Sequence, residues 1–210
     1  MLFYFLSQHA ILSFLALNFT GILLVLWKLP KRFMVIIFIF SFVNIFVGQF
    51  LNAWFLAKFG TNGTAIITSS EETSSMLNEQ YIWEYTALMK SEDGKSVETG
   101  FTTSTASIYP IRNSIMIPGK NQPFVVRYIP GFEKNIVIMT DESDYGKRMI
   151  NYDNLKVVEK EKSKYDFSPE NLEFRKSYIA AMENYINEPQ NKIDTINIRK
   201  FKAIIHNLWP

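Results

Sequence analysis

The sequence predicts a membrane-anchored α+β protein with an N-terminal two-helix transmembrane hairpin, a small antiparallel β-barrel or sandwich, and C-terminal helices. Three observations predict this class. The first 59 residues are apolar and almost uncharged, the middle of the chain alternates apolar and polar residues between turn signals, and a helix-start signal follows near residue 168. The predicted domains are the hairpin at residues 1–59, an extracytoplasmic β domain at 60–165 and a helical extension at 166–210.

The hairpin is predicted from two apolar runs, residues 2–27 and 33–59, which are separated only by the connector KLPKR at residues 28–32. A bilayer core of about 30 Å needs about 20 apolar residues in a helix, and both runs exceed that length. The first run lacks the basic start and the small-residue cleavage site of a signal peptide, so we expect it to be retained as a continuous helix.

The connector sets the predicted topology through Lys28, Lys31 and Arg32. The positive-inside rule keeps such a cluster in the cytoplasm, so both termini and the β domain are expected on the other side. In a bacterium this places the domain at the outer face of the cytoplasmic (inner) membrane. In a eukaryote the same topology gives a lumenal or extracellular face.

Small and polar residues recur at helical spacing along the second run. Such a stripe lets helices approach closely and hydrogen-bond in lipid. It is typical of a self-packing hairpin, it also suits docking onto another membrane protein, and an ion path is the third interpretation, although the run has no acidic residue. The stripe is Ser41, Asn44, Gly48 and Asn52.

The β domain is predicted from residues 78–90, which alternate with period two, and from the turn signal Asp93-Gly94, which predicts an antiparallel partner at 96–104. The polar stretch 141–154 is predicted to be a loop. A closed barrel is attractive because closure removes unpaired strand edges. Further short strands are predicted at 64–68, 124–129, 135–140 and 155–158.

The C-terminal extension begins at Ser168-Pro169-Glu170, which combines an N-cap, a first-turn proline and an acidic residue and predicts a helix to about Asn187. A basic amphipathic segment follows from Ile193. It suits docking on a membrane surface or a partner, and the alternative is a terminal helix packed on its own domain. Its candidate docking residues are Arg199, Lys200, Phe201, Lys202 and Trp209.

A set of short motifs lies between residues 60 and 140: Gly63-Thr64-Ala65, YIWEY at 81–85, the Asp93-Gly94 turn, Gly100 and VRYIP at 126–130. Together they resemble a widespread bacterial family of membrane-anchored proteins of unknown function. The resemblance implies a two-helix anchor with a small β-barrel, and it carries over no catalytic residue. The chain departs from the family pattern at Ile129, where an acidic residue is typical, and after Gly131, where a second proline is missing.

The composition indicates a non-enzymatic protein without a cofactor. The chain has no cysteine and two histidines, His9 in an apolar run and His206 in the tail, and it has no phosphate loop or metal motif. No catalytic, cofactor-binding or metal-binding residue is therefore predicted. Four of the 22 basic residues and no acidic residue precede Gly60, which leaves 18 basic against 20 acidic groups and argues against nucleic-acid binding. The carboxylates considered for acid–base or calcium chemistry, and expected to be solvated surface, are Glu84, Asp141, Glu142 and Asp144.

The predicted function follows by elimination. We expect a protein that binds the lipid bilayer through its hairpin and another protein at the outer face of the membrane. The sharper hypothesis is an immunity protein or inhibitor of a delivered toxin. The alternative is an accessory subunit of a larger membrane assembly, in which the helix stripe docks, and an enzyme with an unrecognised carboxylate site is a third hypothesis.

Overall fold

The computed structural model describes residues 2–28 and 30–208, which form two compact units, Met1–Ser143 and Asp144–Pro210. Unit 1 contains three helices and a six-stranded sheet. Unit 2 is helical. The boundary at Ser143 lies before the position at residue 165 that the sequence predicts.

The apolar N-terminal region forms three helices, α1 (Leu2–Gln8), α2 (Ala10–Leu26) and α3 (Arg32–Phe59). The prediction of one continuous helix over the first apolar run is wrong, because His9 between α1 and α2 has a non-helical backbone with φ −125° and ψ 53°. Among the described residues, α3 is the one helix that is long and apolar enough to cross a membrane, and α2 is a shorter apolar helix of 17 residues.

The sheet is open and mixed. Its strand order is β3-β2-β1-β5-β6-β4, and all neighbours are antiparallel except β4, which runs parallel to β6. The predicted small antiparallel β-barrel or sandwich is therefore wrong, because the described strands form one open sheet with a parallel pair at its edge. The strands are β1 (Thr61–Leu77), β2 (Gln80–Ser91), β3 (Ser96–Thr102), β4 (Ile108–Tyr109), β5 (Phe124–Ile129) and β6 (Phe132–Met139).

The open sheet has two edges, β3 and β4, and each is covered only in part. Strand β3 approaches β6 where Thr99 Oγ1 donates to Lys134 O at 2.6 Å, but among the described residues no ladder joins the two strands. The far edge strand, β4, is only two residues long. Helix α1 lies over the gap, where Gln8 Nε2 donates to Thr105 O at 3.0 Å. The short β4 and the position of α1 therefore limit edge pairing at these places, whereas the edge of β3 at Glu98 and Gly100 stays exposed.

The strand predictions at β2, β3, β5 and β6 are confirmed within a few residues, whereas β1 extends far beyond the predicted 64–68. Its polar second half pairs with β2 as a ribbon in which Glu72 faces Trp83 and Met76 faces Tyr81. This half of β1 is a strand because its backbone pairs with β2. Its side chains lack the alternation of apolar and polar residues that marks a half-buried strand.

Helix α3 passes into the sheet through one residue, Gly60. A Cβ at Gly60 would lie 2.5 Å from Leu56 O and 2.9 Å from Arg127 Cβ, so only glycine fits this passage. The last turns of α3 bury Ala53, Leu56 and Ala57 in one apolar cluster with Val137 and Met139 of β6. The end of α3 is thus part of the core of unit 1.

Unit 2 begins with α4 (Asp144–Phe167), so the predicted loop at 141–154 and strand at 155–158 are wrong. The helix is laced with ion pairs at helical spacing, such as Lys164 Nζ to Glu161 Oε1 at 2.7 Å. Its buried contacts are few, with Val158 in the core cluster and Leu155 packed against it. The short apolar run therefore marks one face of a helix and not an edge strand.

Helices α5 (Leu172–Asn187) and α6 (Thr195–Leu208) complete unit 2, with a 3₁₀ turn at Pro189–Ile193 between them. The N-cap of α5 is Asn171, which accepts from the backbone N–H of Glu173 at 2.9 Å, and not the predicted Ser168. The predicted end at Asn187 is confirmed. The core of the unit is Val158, Tyr178, Ile179, Ala181, Met182, Tyr185 and Phe201.

Candidate functional site

The helices of unit 1 are polar inside and apolar outside. Helices α2 and α3 run antiparallel, since Asn18 Nδ2 donates to Ser41 Oγ at 2.8 Å and a Cβ at Gly21, further along α2, would lie 3.5 Å from Ile37 Cδ1, earlier on α3. The outward side chains of both helices are large, apolar and exposed, as at Phe46. This pattern is the reverse of a water-soluble helical pair, whose apolar faces are inside.

The predicted polar stripe lies on the inner face of α3, and all four of its residues are buried. Asn44 Nδ2 donates to Leu6 O at 2.9 Å. A Cβ at Gly48 would lie 3.2 Å from the same carbonyl oxygen, so glycine lets α1 approach α3 here. The structure thus places the stripe against α1, α2 and the sheet of the same chain, which is the self-packing arrangement.

Asn52 forms the polar contact between α3 and the sheet. It is fully buried, and its amide exchanges two hydrogen bonds of 3.0 Å with the amide of Asn135 on β6. Asn52 Nδ2 also donates to Ser107 Oγ at 2.9 Å. The spacing of the stripe points to Asn52, but no sequence signal points to Ser107 or Asn135.

Arg127 on β5 holds the end of α3 to the sheet. Its guanidinium donates from Nη1 to Ala57 O, from Nε to Asn62 Oδ1 at 3.1 Å and from Nη2 to Glu142 Oε1 at 2.8 Å. A cation near the C-terminal carbonyls of a helix is also favoured by the helix dipole. One side chain therefore connects α3, β1 and the segment after β6.

An open polar groove of about 450 Å³ lies where α1 meets β2, β3 and β6. One wall is the outer edge of β3. In an antiparallel pair of strands, residue pairs that exchange backbone hydrogen bonds alternate with pairs that do not. Thr103 N donates to Trp83 O, so Glu98 and Gly100 belong to the pairs that do not exchange such bonds with β2. Their N–H and C=O groups therefore point away from β2. Glu98 and Gly100 are both exposed. The groove also contains His9, Glu84, Glu98 and Lys134.

The carboxylates that the sequence singles out are mostly engaged by basic side chains. Arg112 binds Asp141 with both terminal nitrogens, at 2.6 Å and 2.8 Å. Glu142 pairs with Arg127, as above, and Asp144 lies 3.6 Å from Lys147 Nζ. Within residues 2–28 and 30–208, no three His, Cys, Asp or Glu side chains are grouped so that they could hold a metal ion.

The candidate docking tail is divided by the packing of α6. Phe201 is buried in the core of unit 2, where its ring meets that of Tyr185 edge-on at 5.1 Å. Arg199, Lys200 and Lys202 are exposed. Trp209 lies outside the described residues. The arrangement is that of a terminal helix packed on its own unit, with its basic residues on the open face.

The topology determinants Lys28, Lys31 and Arg32 are all exposed at the turn between α2 and α3. Lys28 has a positive φ of 67°, and the Arg32 guanidinium lies 5.8 Å from the ring centre of Phe33. Leu29 of the connector lies outside the described residues. The three charges sit at the end of the helical pair opposite to the sheet, because the sheet contacts the other end of α3.

A buried polar cluster in unit 2 centres on Tyr185. Its hydroxyl donates to Asp194 Oδ2 at 2.5 Å and accepts from Asn151 Nδ2 at 2.7 Å. Asn191, which is fully buried, donates to Tyr185 O at 2.9 Å. Burial and the bond to Asp194 raise the pKa of Tyr185 to about 12. These bonds join α4, α5 and the 3₁₀ turn, so the cluster is structural.

We expect the free energy of unfolding to fall as the pH rises from about 10 towards 12. The Tyr185 hydroxyl has an ordinary pKa of 10.0 when unfolded but about 12 when folded, so the folded chain binds more protons in this window and loses stability through it. Tyr185→Phe has no hydroxyl at this position, so it lacks this pH-dependent contribution to the free energy of unfolding. Denaturation in detergent across this range should therefore give a steeper loss for the wild type, and equal slopes would contradict the assignment.

Comparison of the chain with protein families, with curated proteins and with solved structures found no match. The resemblance of residues 60–140 to the family of two-helix membrane-anchored proteins stays a prediction.

Proposed function

We propose that this chain is a non-enzymatic, membrane-anchored protein that binds another protein at the outer face of the bacterial cytoplasmic membrane. In this proposal α2 and α3 form the two-helix transmembrane hairpin. The exposed connector charges face the cytoplasm, and the sheet lies on the outer side.

The membrane placement is supported by the distribution of polarity in the helices. A water-soluble protein rarely exposes a continuous apolar patch of more than a few hundred Å². Here the outer faces of α2 and α3 expose large apolar residues along their length, and Ser13, Gly21, Ser41 and Asn44 are buried between the helices. Lipid is the solvent in which this arrangement is stable.

Protein binding is supported above all by one observation, the open edge of β3 in the polar groove. Backbone N–H and C=O groups at a strand edge can pair with an extended segment of another protein. Among the described residues that line the groove, Glu84 and Glu98 are acidic and Lys134 is basic, which favours a partner segment carrying basic side chains. The affinity would come from the backbone and the selectivity from these charges.

The sharper form of the proposal is an immunity protein or inhibitor that intercepts a toxin delivered to the membrane. Gly60 joins the sheet to α3 without a linker, so the groove stays close to the bilayer, to which such a toxin is delivered. The alternative, an accessory subunit of a larger membrane assembly, is favoured by the exposed apolar faces of α2 and α3, which another membrane protein could cover instead of lipid.

Replacing Gly100 with proline tests the edge. Proline removes the outward N–H without breaking the ladder to β2, so we expect binding to weaken on the order of fivefold to tenfold, the worth of one hydrogen bond. Gly100→Ala is the matched control because it keeps the N–H, and its Cβ would meet Tyr85 O at an ordinary 3.5 Å.

The measurements are co-purification with the products of the genes that flank this one, and survival when a flanking toxin gene is expressed. Protection that survives in G100A but weakens in G100P would support the edge as the binding site. Equal behaviour of the two variants would contradict it. Protection by residues 1–59 alone would contradict any role of the β domain, and stable stoichiometric membrane partners in a detergent pull-down would favour the accessory subunit.

A further inference from the structure

The far end of the β1–β2 ribbon, here called the ribbon tip (residues 76–83), is apolar on both faces. Its large side chains are Met76, Leu77, Tyr81 and Trp83, which are 54%, 56%, 50% and 38% exposed. Met76 pairs across the ribbon with Tyr81, and Leu77 pairs with Gln80, so the exposed apolar groups alternate between the two faces. A ribbon that packs one face on its own domain has no need for apolar groups on the other face.

The ribbon tip extends beyond the rest of the sheet. The ladder between β2 and β3 ends at Glu84 and Thr102, and one further backbone bond joins Thr103 N to Trp83 O, so only the residues between Trp83 and the turn form a purely two-stranded ribbon. Isolated two-stranded ribbons are only marginally stable in water. The length of the ribbon therefore calls for a surface that covers its apolar side chains.

The ribbon tip lies beside the start of α2. Leu77 and Ile82 line an open groove of about 720 Å³ together with Ile11, Leu12 and Leu15. Those three α2 residues belong to the exposed apolar surface of the helices. The apolar surface of the ribbon tip is thus continuous with the surface that, in the proposed function, faces lipid.

We propose that the ribbon tip rests in the interfacial zone of the outer leaflet and gives the β domain a second contact with the bilayer. This inference rests on the membrane placement of α2 and α3 proposed above. In the proposed placement α2 enters the membrane at its start, beside His9, and Leu15 lies six residues after His9, which is about 9 Å along the helix. That depth agrees with the 5–10 Å at which apolar faces enter a membrane interface, where Tyr and Trp are enriched.

The charges of the ribbon limit how deeply it enters and decide which part of the lipid it contacts. Glu79 stands at the turn of the ribbon with a positive φ of 63°, and a carboxylate is costly inside hydrocarbon. Glu71 and Glu72 lie on β1, farther from the turn, and residues 59–89 contain no Lys or Arg. The contact is therefore apolar and does not recruit anionic headgroups.

Single cysteines test this contact because the chain has no cysteine of its own. Leu77→Cys and Met76→Cys, each labelled with an environment-sensitive fluorophore, report on the two faces of the ribbon tip. The full-length protein is placed in phosphatidylcholine nanodiscs that contain a lipid with a nitroxide near the headgroup or, for the label at Phe19 near the middle of α2, a lipid with a nitroxide near the end of its acyl chain. Glu92→Cys, at the opposite end of β2, is the matched exposed control, and Phe19→Cys on the outer face of α2 reports on the hairpin.

We expect the label at both ribbon-tip positions to be quenched at least about twofold more than at Glu92, since the tip lies in the interface. If the label at either ribbon-tip position is quenched no more than the label at position 92, the inference is overturned. A quenched Phe19 label in the same experiment would leave the hairpin intact, whereas an unquenched Phe19 label would overturn the proposed membrane placement itself. Quenching that rises when phosphatidylglycerol is mixed into the nanodiscs would overturn the apolar character of the contact.

Discussion

Replacing Asn52 with leucine is expected to lower the free energy of unfolding by about 2 to 4 kcal/mol, because it leaves the buried amide of Asn135 and the hydroxyl of Ser107 without their partner. Leucine has the same number and branching of side-chain heavy atoms as asparagine, so lost hydrogen bonding contributes most of the change, and its bulkier methyl groups add to the loss at this fully buried position. The measurement is chemical denaturation of the full-length chain in detergent. Asn113→Leu is the matched control, and we expect a change within about 0.5 kcal/mol there because Asn113 is exposed.

The double variant Asn52→Leu with Asn135→Leu separates polarity from packing. It removes both amides from the contact between α3 and β6, so we expect it to recover part of the stability that the single variant loses. Strictly additive losses would show that the two amides do not act as a pair. A single variant as stable as the Asn113 control would contradict the buried contact altogether.

Replacing Arg127 with methionine is expected to cost about 2 to 3 kcal/mol, because three charge-assisted hydrogen bonds disappear and Glu142 loses its partner. The loss should loosen the junction between α3 and β1, so limited proteolysis near Gly60 should also become faster. Arg112→Met is the matched control. It removes a two-nitrogen pair with Asp141, about one-third exposed, and a bond to Thr140 Oγ1; neither partner belongs to α3, so we expect a smaller loss of stability than at Arg127 and no faster proteolysis near Gly60. Equal losses at the two arginines would contradict the special role of Arg127.

The parts of the fold that depend on local sequence could be predicted. Period-two alternation identifies β2, and the Asp93-Gly94 turn, with Gly94 at a φ of 85°, identifies its pairing with β3. The polar half of β1 could not be found in this way, because its partner and not its side chains makes it a strand. Helix α4 was missed for a related reason, since its surface is charged on most sides and few apolar positions mark its period.

The closure of the sheet could not be decided from sequence. Turn spacing predicts several short strands but not which edge meets which, and the order of the strands here places β5 beside β1. The candidate site shows the same limit. Helical spacing identifies Asn44 and Asn52, but their partners come from residues 38 and 83 positions away in the chain, and only the fold brings them together.

If the proposed protein binding is correct, the passage through Gly60 limits how the protein meets its partner. A domain on a flexible tether explores a volume, and its chance of meeting a partner depends on tether length. In the proposed membrane setting, the sheet joined to α3 by one residue explores almost no volume above the bilayer. In the proposed setting the search is two-dimensional, because the protein meets only molecules that diffuse in the same bilayer or reach its surface. A flexible insert after Gly60 would therefore let the sheet search for a partner in three dimensions instead of two. It would not alter any contact in the groove.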